Sequence, residues 1–83
     1  MNDPANLNDK INAVFKRLFQ AKPESLGDNV RRGELPRWDS LGHLELQSTL
    51  EKEFKIEIPV DDVLTMETVG DVRRTVAKLC AAK

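Results

Sequence analysis

The 83-residue sequence predicts an all-α fold, a bundle of three main helices and one short helix. Apolar residues recur at spacings of three and four in three stretches, which is the period of a helix that buries one face. Alternation typical of a strand is confined to Ile56-Glu57-Ile58, and Pro59 follows it at once. Hydrophobic residues make up 40% of the chain and aromatic residues only 5%, which suits a compact aliphatic core. We expect one domain, residues 1–83, because so short a chain cannot build two cores.

The first helix is expected at about residues 5–21, with a long connection after it. Asp3 or Asn6 is a candidate N-cap, and Pro23 prevents the helix from continuing. Its apolar stripe comprises Leu7, Ile11, Val14, Phe15, Leu18 and Phe19. The connection, residues 22–39, is so long that it needs anchors in the core or a function of its own. The expected anchors are Leu26, Val30 and Leu35.

The second helix is expected at about residues 40–55, with Asp39 as its N-cap. A carboxylate at that position accepts hydrogen bonds from unpaired backbone N–H groups and suits the positive end of the helix dipole. The predicted inward face of this helix consists of Leu41, Leu44, Leu46, Leu50 and Phe54.

Two further helices are expected in the last third of the chain, after an extended connector that places Ile56 or Ile58 in the core. Pro59 followed by two aspartates predicts a short third helix at 60–65. The run Thr68-Val69-Gly70-Asp71 is typical of a capping box and predicts a last helix at 68–81. The inward face of that helix comprises Val69, Val72, Val76, Leu79 and Cys80.

Acidic residues concentrate in the middle of the chain. Residues 39–62 carry seven acids and two lysines, whereas residues 1–38 and 63–83 each carry a net charge of +2. Clustered charge of one sign steers a partner of the opposite sign, although an ordinary solvated face is the alternative. A nucleic-acid-binding domain would need a continuous basic stripe, and the bases here are dispersed. We therefore expect no nucleic-acid partner.

The sequence indicates a cytoplasmic protein without a membrane segment. Its first residues have neither the basic region nor the apolar run of a signal peptide. No apolar stretch approaches the ~18 residues that a membrane span requires. Cys80 is the only cysteine, so no intramolecular disulfide can form and a reducing compartment is the natural setting.

Catalysis and metal binding are not expected. A serine nucleophile needs a base within hydrogen-bond reach, and His43 is the only histidine. Ser40 and His43 lie three residues apart, so a small hydrolase is conceivable, but an exposed helix offers no oxyanion hole. We expect His43 to face solvent. One histidine and one cysteine fall short of any structural zinc set.

Ser40 therefore remains as a residue on which another enzyme acts. It is expected at the start of a helix, where backbone N–H groups and the dipole favour a phosphate. The alternative is an ordinary serine in the first turn of a helix, and the tripeptide Asp39-Ser40-Leu41 alone does not distinguish the two.

The wider context strongly resembles the acyl carrier protein family. The matching residues, with the same gaps between them, are Asp39-Ser40-Leu41, Leu44-Glu45-Leu46, Leu50-Glu51, Glu53-Phe54, Ile58-Pro59 and Thr68-Val69. The resemblance implies a four-helix carrier bundle with a long first loop. It also implies that Ser40 receives 4'-phosphopantetheine from coenzyme A through a separate phosphopantetheinyl transferase. The thiol of that arm would then carry acyl or aminoacyl groups as thioesters.

The resemblance also implies roles for the neighbours of Ser40. Asp39 would cap the helix and support docking of the transferase, and Leu41 would contact partner enzymes, with core packing as the alternative. An acidic face would be offered to basic patches on the enzymes that load and transfer the acyl group, and it would consist of Glu45, Glu51, Glu53, Asp61 and Asp62. A carrier of this kind is expected to work as a monomer.

Several residues depart from the family pattern. Arg37 stands two positions before Asp39, where the family often has a glycine, and Gly42 stands where an acid often follows Asp-Ser-Leu. Positions 47 and 48, often apolar in fatty-acid carriers, are Gln47 and Ser48. These departures favour a stand-alone carrier for a specialised biosynthetic pathway. Trp38 is expected to cover the core, with a partner contact as the alternative. A carrier-like interaction module that never takes the arm is the other functional hypothesis.

Overall fold

Four α-helices and one short 3-10 helix make up the described part of the chain, residues 4–81 of a computed structural model. Their bounds are Pro4–Phe19 for α1, Pro23–Ser25 for the 3-10 helix, Ser40–Phe54 for α2, Val60–Thr65 for α3 and Val69–Ala81 for α4. The predicted all-α class with a short third helix is confirmed. None of the helices in the described residues has the length and apolar character needed to cross a bilayer.

The first helix ends two residues earlier than the sequence predicted. Gln20 adopts a left-handed conformation with φ of 55°, and its N–H still bonds the Lys16 carbonyl at 2.9 Å. Such a residue closes a helix by satisfying a terminal carbonyl. The end of α1 is therefore set at Gln20 and not at Pro23. The candidate cap Asp3 lies outside the described residues, and Asn6 lies within α1.

The long connection between α1 and α2 is anchored by apolar side chains, as predicted. Leu26 and Leu35 are buried, and Val30 packs against the core. Backbone hydrogen bonds add to this anchoring, since Val69 N–H donates to the Val30 carbonyl at 2.9 Å. The guanidinium of Arg73 on α4 donates to the Leu26 carbonyl at 2.9 Å. These hydrogen bonds hold the loop against α4 and so fix the position of the backbone that leads into α2.

The inward face of α2 differs from the prediction in three places. Leu46, Leu50 and Phe54 are buried as expected, but Leu41 and Leu44 are exposed and His43 is buried. At 100° per residue, His43 falls on the same side of the helix as Leu46 and Leu50, whereas Leu44 falls on the opposite side. The predictions of an inward Leu41, an inward Leu44 and a solvent-facing His43 were wrong.

The connector and the last helix follow the sequence closely. Ile56 and Ile58 are both buried, on either side of an exposed Glu57. Thr68 Oγ1 accepts from Asp71 N–H at 3.0 Å, and Asp71 Oδ2 accepts from Thr68 N–H at 3.2 Å, which is the predicted capping box. Burial raises the pKa of Asp71, but hydrogen bonds from Glu67, Arg74 and Thr68 outweigh it and lower that pKa.

Candidate functional site

Ser40 is the first residue of α2, and its side chain is exposed to solvent. The first backbone N–H groups of a helix have no acceptor within the helix, and they lie at its positive end. A phosphate ester on Ser40 would therefore sit at the positive end of the helix, in a favourable field. The hydroxyl is accessible and its surroundings suit an anion.

Asp39 fixes the first turn in the way the sequence predicted. Its Oδ1 accepts from Gly42 N–H at 2.9 Å, and its carbonyl accepts from His43 N–H at 2.8 Å. An extended backbone at Asp39, with φ of −109°, turns the incoming loop into the helix. Because the carboxylate is tied to the helix end, the position of Ser40 follows from the cap.

The loop before Asp39 lies unusually close to α2, and Gly42 makes this possible. Arg37 has a positive φ of 69°, which turns its carbonyl toward the helix. A Cβ at Gly42 would meet the Arg37 carbonyl, with the carbonyl carbon only 2.9 Å away, and Phe19 Cε1 at 3.0 Å. Real Cβ atoms essentially never come this near to a backbone carbonyl carbon. The close approach of the loop therefore explains on steric grounds why position 42 is glycine.

Trp38 is 0% exposed and lies within the core, where the prediction placed it as a cover over the core. Its burial excludes the alternative of a partner contact. Its ring stacks on Phe19 with centroids 5.9 Å apart and meets Phe15 edge-on at 5.1 Å. The imidazole ring of His43 also stacks on Trp38, with centroids 6.2 Å apart. Aromatic pairs in these arrangements attract beyond simple burial.

His43 joins Trp38 to α3 through both of its ring nitrogens. Trp38 Nε1–H donates to His43 Nδ1 at 3.0 Å, and His43 Nε2 lies 2.8 Å from the Val63 carbonyl. An indole N–H only donates and a carbonyl only accepts, so the imidazole is neutral with its proton on Nε2. Burial lowers the pKa of His43, the Val63 carbonyl opposes this, and the charge of Arg32 lowers the pKa further.

These contacts remove the base that a Ser40 hydrolase would need. Each nitrogen of His43 is held by a buried partner, Trp38 on one side and Val63 on the other. Ser40 is exposed at the surface whereas His43 is buried. The two residues are only three positions apart in sequence, but the geometry does not make them a catalytic pair.

Exposed apolar side chains lie on α2 and α3. Leu41 is 68% exposed and Leu44 is 57% exposed, and they are three residues apart on one face of α2. Val60 and Leu64 are exposed four residues apart on α3. The core-packing alternative for Leu41 is therefore excluded. Sequence reasoning missed Val60 and Leu64, although their spacing of four residues places them side by side on one face of a helix.

The acidic residues named from the sequence have different surroundings. Glu45 and Asp61 are exposed. Glu51 is half-buried, and its Oε2 accepts from Ile58 N–H at 2.9 Å. Glu53 Oε2 lies 4.0 Å from Arg17 Nη2, and Asp62 Oδ2 lies 3.5 Å from Lys78 Nζ, so both carboxylates form ion pairs. Within residues 4–81, no group of three His, Cys, Asp or Glu side chains is arranged to hold a metal ion.

Comparisons with known proteins agree with this geometry. The family described as "Phosphopantetheine attachment site" matches residues 38–80. The acyl carrier protein of Wolinella succinogenes is 36% identical over 66 residues, which cover 80% of this chain and 87% of that protein. That of Bradyrhizobium sp. is 30% identical over 74 residues, covering 89% of this chain and 94% of the relative. A solution structure of a holo acyl carrier protein from Geobacter metallireducens superposes with a TM-score of 0.79 at 27% identity, covering 89% and 85% of the two chains.

The chain thus belongs to the acyl carrier protein family, since the family match spans more than half of it. It is a carrier and not a catalyst, and its cofactor is a covalently attached 4'-phosphopantetheine. The described residues fit that group, because a phosphodiester requires an exposed hydroxyl and an anion-favouring field, and the first turn of α2 has both. When bound, the group supplies a flexible arm that ends in a thiol.

Proposed function

We propose that Ser40 is the residue to which the 4'-phosphopantetheine arm is attached. Its exposure at the first position of α2 carries this proposal. Ser40 Oγ attacks the phosphorus of coenzyme A that bears the pantetheine, and it gives its proton to a base on the transferase. The bond from that phosphorus to the bridging oxygen of the diphosphate breaks, and adenosine 3',5'-bisphosphate leaves. The capped first turn keeps the hydroxyl at the surface, and its N–H groups stabilise the negative charge of the product.

The attachment is tested by intact-mass measurement after incubation with coenzyme A and a phosphopantetheinyl transferase of broad specificity. Wild type and Ser48→Ala should each gain one adduct of phosphopantetheine mass, and Ser40→Ala should gain none. Ser48 is a suitable control because it is also an exposed serine of α2. An adduct on Ser40→Ala, or none on wild type, would contradict the proposal.

We propose further that partner enzymes contact the surface around Ser40. Leu41 and Leu44 offer apolar contacts, and Glu45 and Asp61 offer exposed charge. Asp39 supports docking of the transferase as well as capping the helix. Charge complementarity supplies orientation and association rate more than affinity, which suits a carrier that must release each partner.

The acidic face includes residues with a second task. Three of them form a hydrogen bond or an ion pair within the protein, so their side chains are less free to meet a partner than that of Glu45: Glu51, Glu53 and Asp62.

Leu41→Ala and Leu44→Ala should raise the KM of the transferase and leave the free energy of unfolding nearly unchanged, because both side chains are exposed. An unchanged KM in both variants would remove Leu41 and Leu44 from the docking surface.

We assign the carrier to a specialised biosynthetic pathway, with acyl or aminoacyl cargo, and not to general fatty-acid synthesis. Gly42 and Trp38 support this, since they build a first-turn packing that an acid at position 42 would prevent. Arg31, Arg32 and Arg37 add exposed positive charge before the site, which changes the field that partners meet. Mass measurement of the loaded protein from its own cells tests the assignment, and a long saturated acyl chain would contradict it.

We also propose that residues 1–83 form one carrier domain that works as a monomer in the cytoplasm. A lone cysteine, Cys80, half-buried against the core, is compatible with a reducing compartment. A sedimentation measurement at several protein concentrations tests the monomer, and a mass that rises to that of a dimer would contradict it.

A further inference from the structure

The space beneath Ser40 is filled by packed rings. Trp38, two residues before the attachment residue, is among the largest fully buried side chains of the described chain. Phe15 and Phe19 of α1 and His43 of α2 surround it at centroid distances of 5.1, 5.9 and 6.2 Å. A chain that entered the bundle here would have to displace the indole, because protein interiors are close-packed.

The boundary between α2 and α3 is fastened at the same place. His43 of α2 accepts from Trp38 and bonds the carbonyl of Val63 on α3, with distances of 3.0 and 2.8 Å. Separating the two helices would break a buried hydrogen bond and leave its polar groups without partners. Such groups are costly to leave unpaired in a core. At His43, the boundary between α2 and α3 is therefore closed by a polar bridge as well as by packing.

The loop cannot easily move aside to make room. The Arg37 carbonyl already presses on Gly42, at a distance that no Cβ could tolerate. Gly33 N–H bonds the Trp38 carbonyl at 2.9 Å, and Trp38 N–H bonds the Leu35 carbonyl at 3.2 Å. The backbone on both sides of the indole is thus held in place.

From these contacts we propose that the carrier holds its cargo outside the bundle, and that the cargo is a short or polar acyl group such as an aminoacyl or hydroxyacyl group. This inference rests on the proposed attachment at Ser40. A polar group remains solvated on an external arm and needs no shelter. A long alkyl chain kept outside would expose apolar surface to water, which is unfavourable. Recognition of the cargo then falls to the partner enzymes.

The test compares two thioesters on the same protein. Wild type is loaded from acetyl-coenzyme A and from octanoyl-coenzyme A, and intact mass confirms each product. The rate of cleavage by hydroxylamine is then measured for each loaded protein. Each rate is divided by the cleavage rate of the corresponding free coenzyme A thioester. A thioester inside the bundle reacts only when the fold opens, whereas an external one reacts freely. We expect the two ratios to agree within about twofold, and an octanoyl ratio about tenfold below the acetyl ratio would overturn the proposal.

Trp38 gives a second readout on the same samples. It is the only tryptophan of the sequence, so its fluorescence reports on this part of the core alone. The emission maximum should be the same with acetyl and octanoyl cargo. A shift that appears only with octanoyl cargo would show the chain entering the core and would count against the proposal.

A matched pair of variants tests whether the packed indole of Trp38 keeps the acyl chain out of the bundle. Trp38→Leu empties part of the space beneath Ser40, so octanoyl cleavage should slow several-fold relative to acetyl cleavage. Phe54→Leu makes a similar change at the other end of α2, roughly 21 Å from Ser40 at 1.5 Å per residue, and should leave the ratio unchanged. An unchanged ratio in folded Trp38→Leu would contradict the proposal. Where that variant does not fold, the wild-type comparison decides.

The failures of the two proposals are distinguishable. Wild type that gains no arm would overturn the attachment at Ser40, and the inference about cargo with it. Wild type that gains the arm but protects an octanoyl thioester would overturn the inference about cargo alone.

Discussion

The indole N–H of Trp38 donates to Nδ1 of His43 across 3.0 Å inside the core, five residues apart in sequence. This bond joins the loop that precedes Ser40 to the helix that Ser40 begins. The other nitrogen of His43 continues the link to Val63 on α3. Three segments of the fold thus meet at one imidazole, and the position of Ser40 depends on them.

Replacing His43 should destabilise the fold strongly. His43→Ala leaves the Trp38 N–H and the Val63 carbonyl unpaired and opens a cavity, so we expect a loss of about 3–5 kcal/mol in the free energy of unfolding. Urea denaturation followed by Trp38 fluorescence measures it. Ser48→Ala, an exposed change on the same helix, should cost less than about 0.5 kcal/mol. A loss below about 1 kcal/mol for His43→Ala would contradict the assigned role of the bridge.

The same bridge should make stability depend on pH. Because burial lowers the pKa of His43 from 6.5, the unfolded chain takes up that proton at a higher pH than the folded protein does. The contribution of His43 to stability is complete above pH 6.5, declines as the pH falls from there through the folded pKa, and is lost below it. Protonation also removes the acceptor of the Trp38 N–H.

Denaturation at a series of pH values tests this dependence, with His43→Gln as the comparison. The decline just below pH 6.5 should be present in wild type and absent in His43→Gln. Stability of wild type that is flat or increases through that range would show that His43 is not held neutral.

Gly42→Ala should distort the turn that presents Ser40. The new methyl group would overlap the Arg37 carbonyl and crowd Phe19, so we expect a loss of about 1–3 kcal/mol and slower attachment of the arm. Gly27→Ala is the matched control, because nothing lies within 4 Å of the position of its Cβ. Equal effects of the two substitutions on stability would argue against a steric role for Gly42.

The two functions of Asp39 can be separated by a pair of substitutions. Asp39→Ala removes the cap bond to Gly42 N–H and should cost about 1 kcal/mol. Asp39→Asn keeps a capping oxygen and removes the charge, so its stability should lie nearer to wild type. If docking of the transferase uses the charge, Asp39→Asn should still show a raised KM. Two variants with the same stability loss would mean that the cap bond is not what Asp39 contributes.

Much of this fold could be predicted because local signals coincide with it. Asp39 and Thr68 mark helix starts through their own side chains, and the stripe through Leu46 and Leu50 sets the buried face of α2. His43 lies in that stripe, yet its polarity suggested an exposed residue. Only its partners Trp38 and Val63, from two other segments, make burial favourable. A helical projection that ignored residue polarity would have placed it correctly.

The unusual flanks of Ser40 could not be understood from the sequence alone. The positive φ of Arg37 and the approach of its carbonyl to Gly42 are tertiary features that no local pattern encodes. In the structure they explain why a glycine follows Leu41. The family resemblance predicted Ser40 as the site, and the packing explains the form of the turn around it.

Peptide-level mass spectrometry of the transferase-treated wild type tests the central claim most directly. The chain has three serines, Ser25, Ser40 and Ser48, so fragmentation assigns the phosphodiester to one of them. We predict one phosphopantetheine per molecule, carried on Ser40. An arm found on Ser25 or Ser48, or a protein that stays unmodified under conditions that modify a known carrier, would contradict the account.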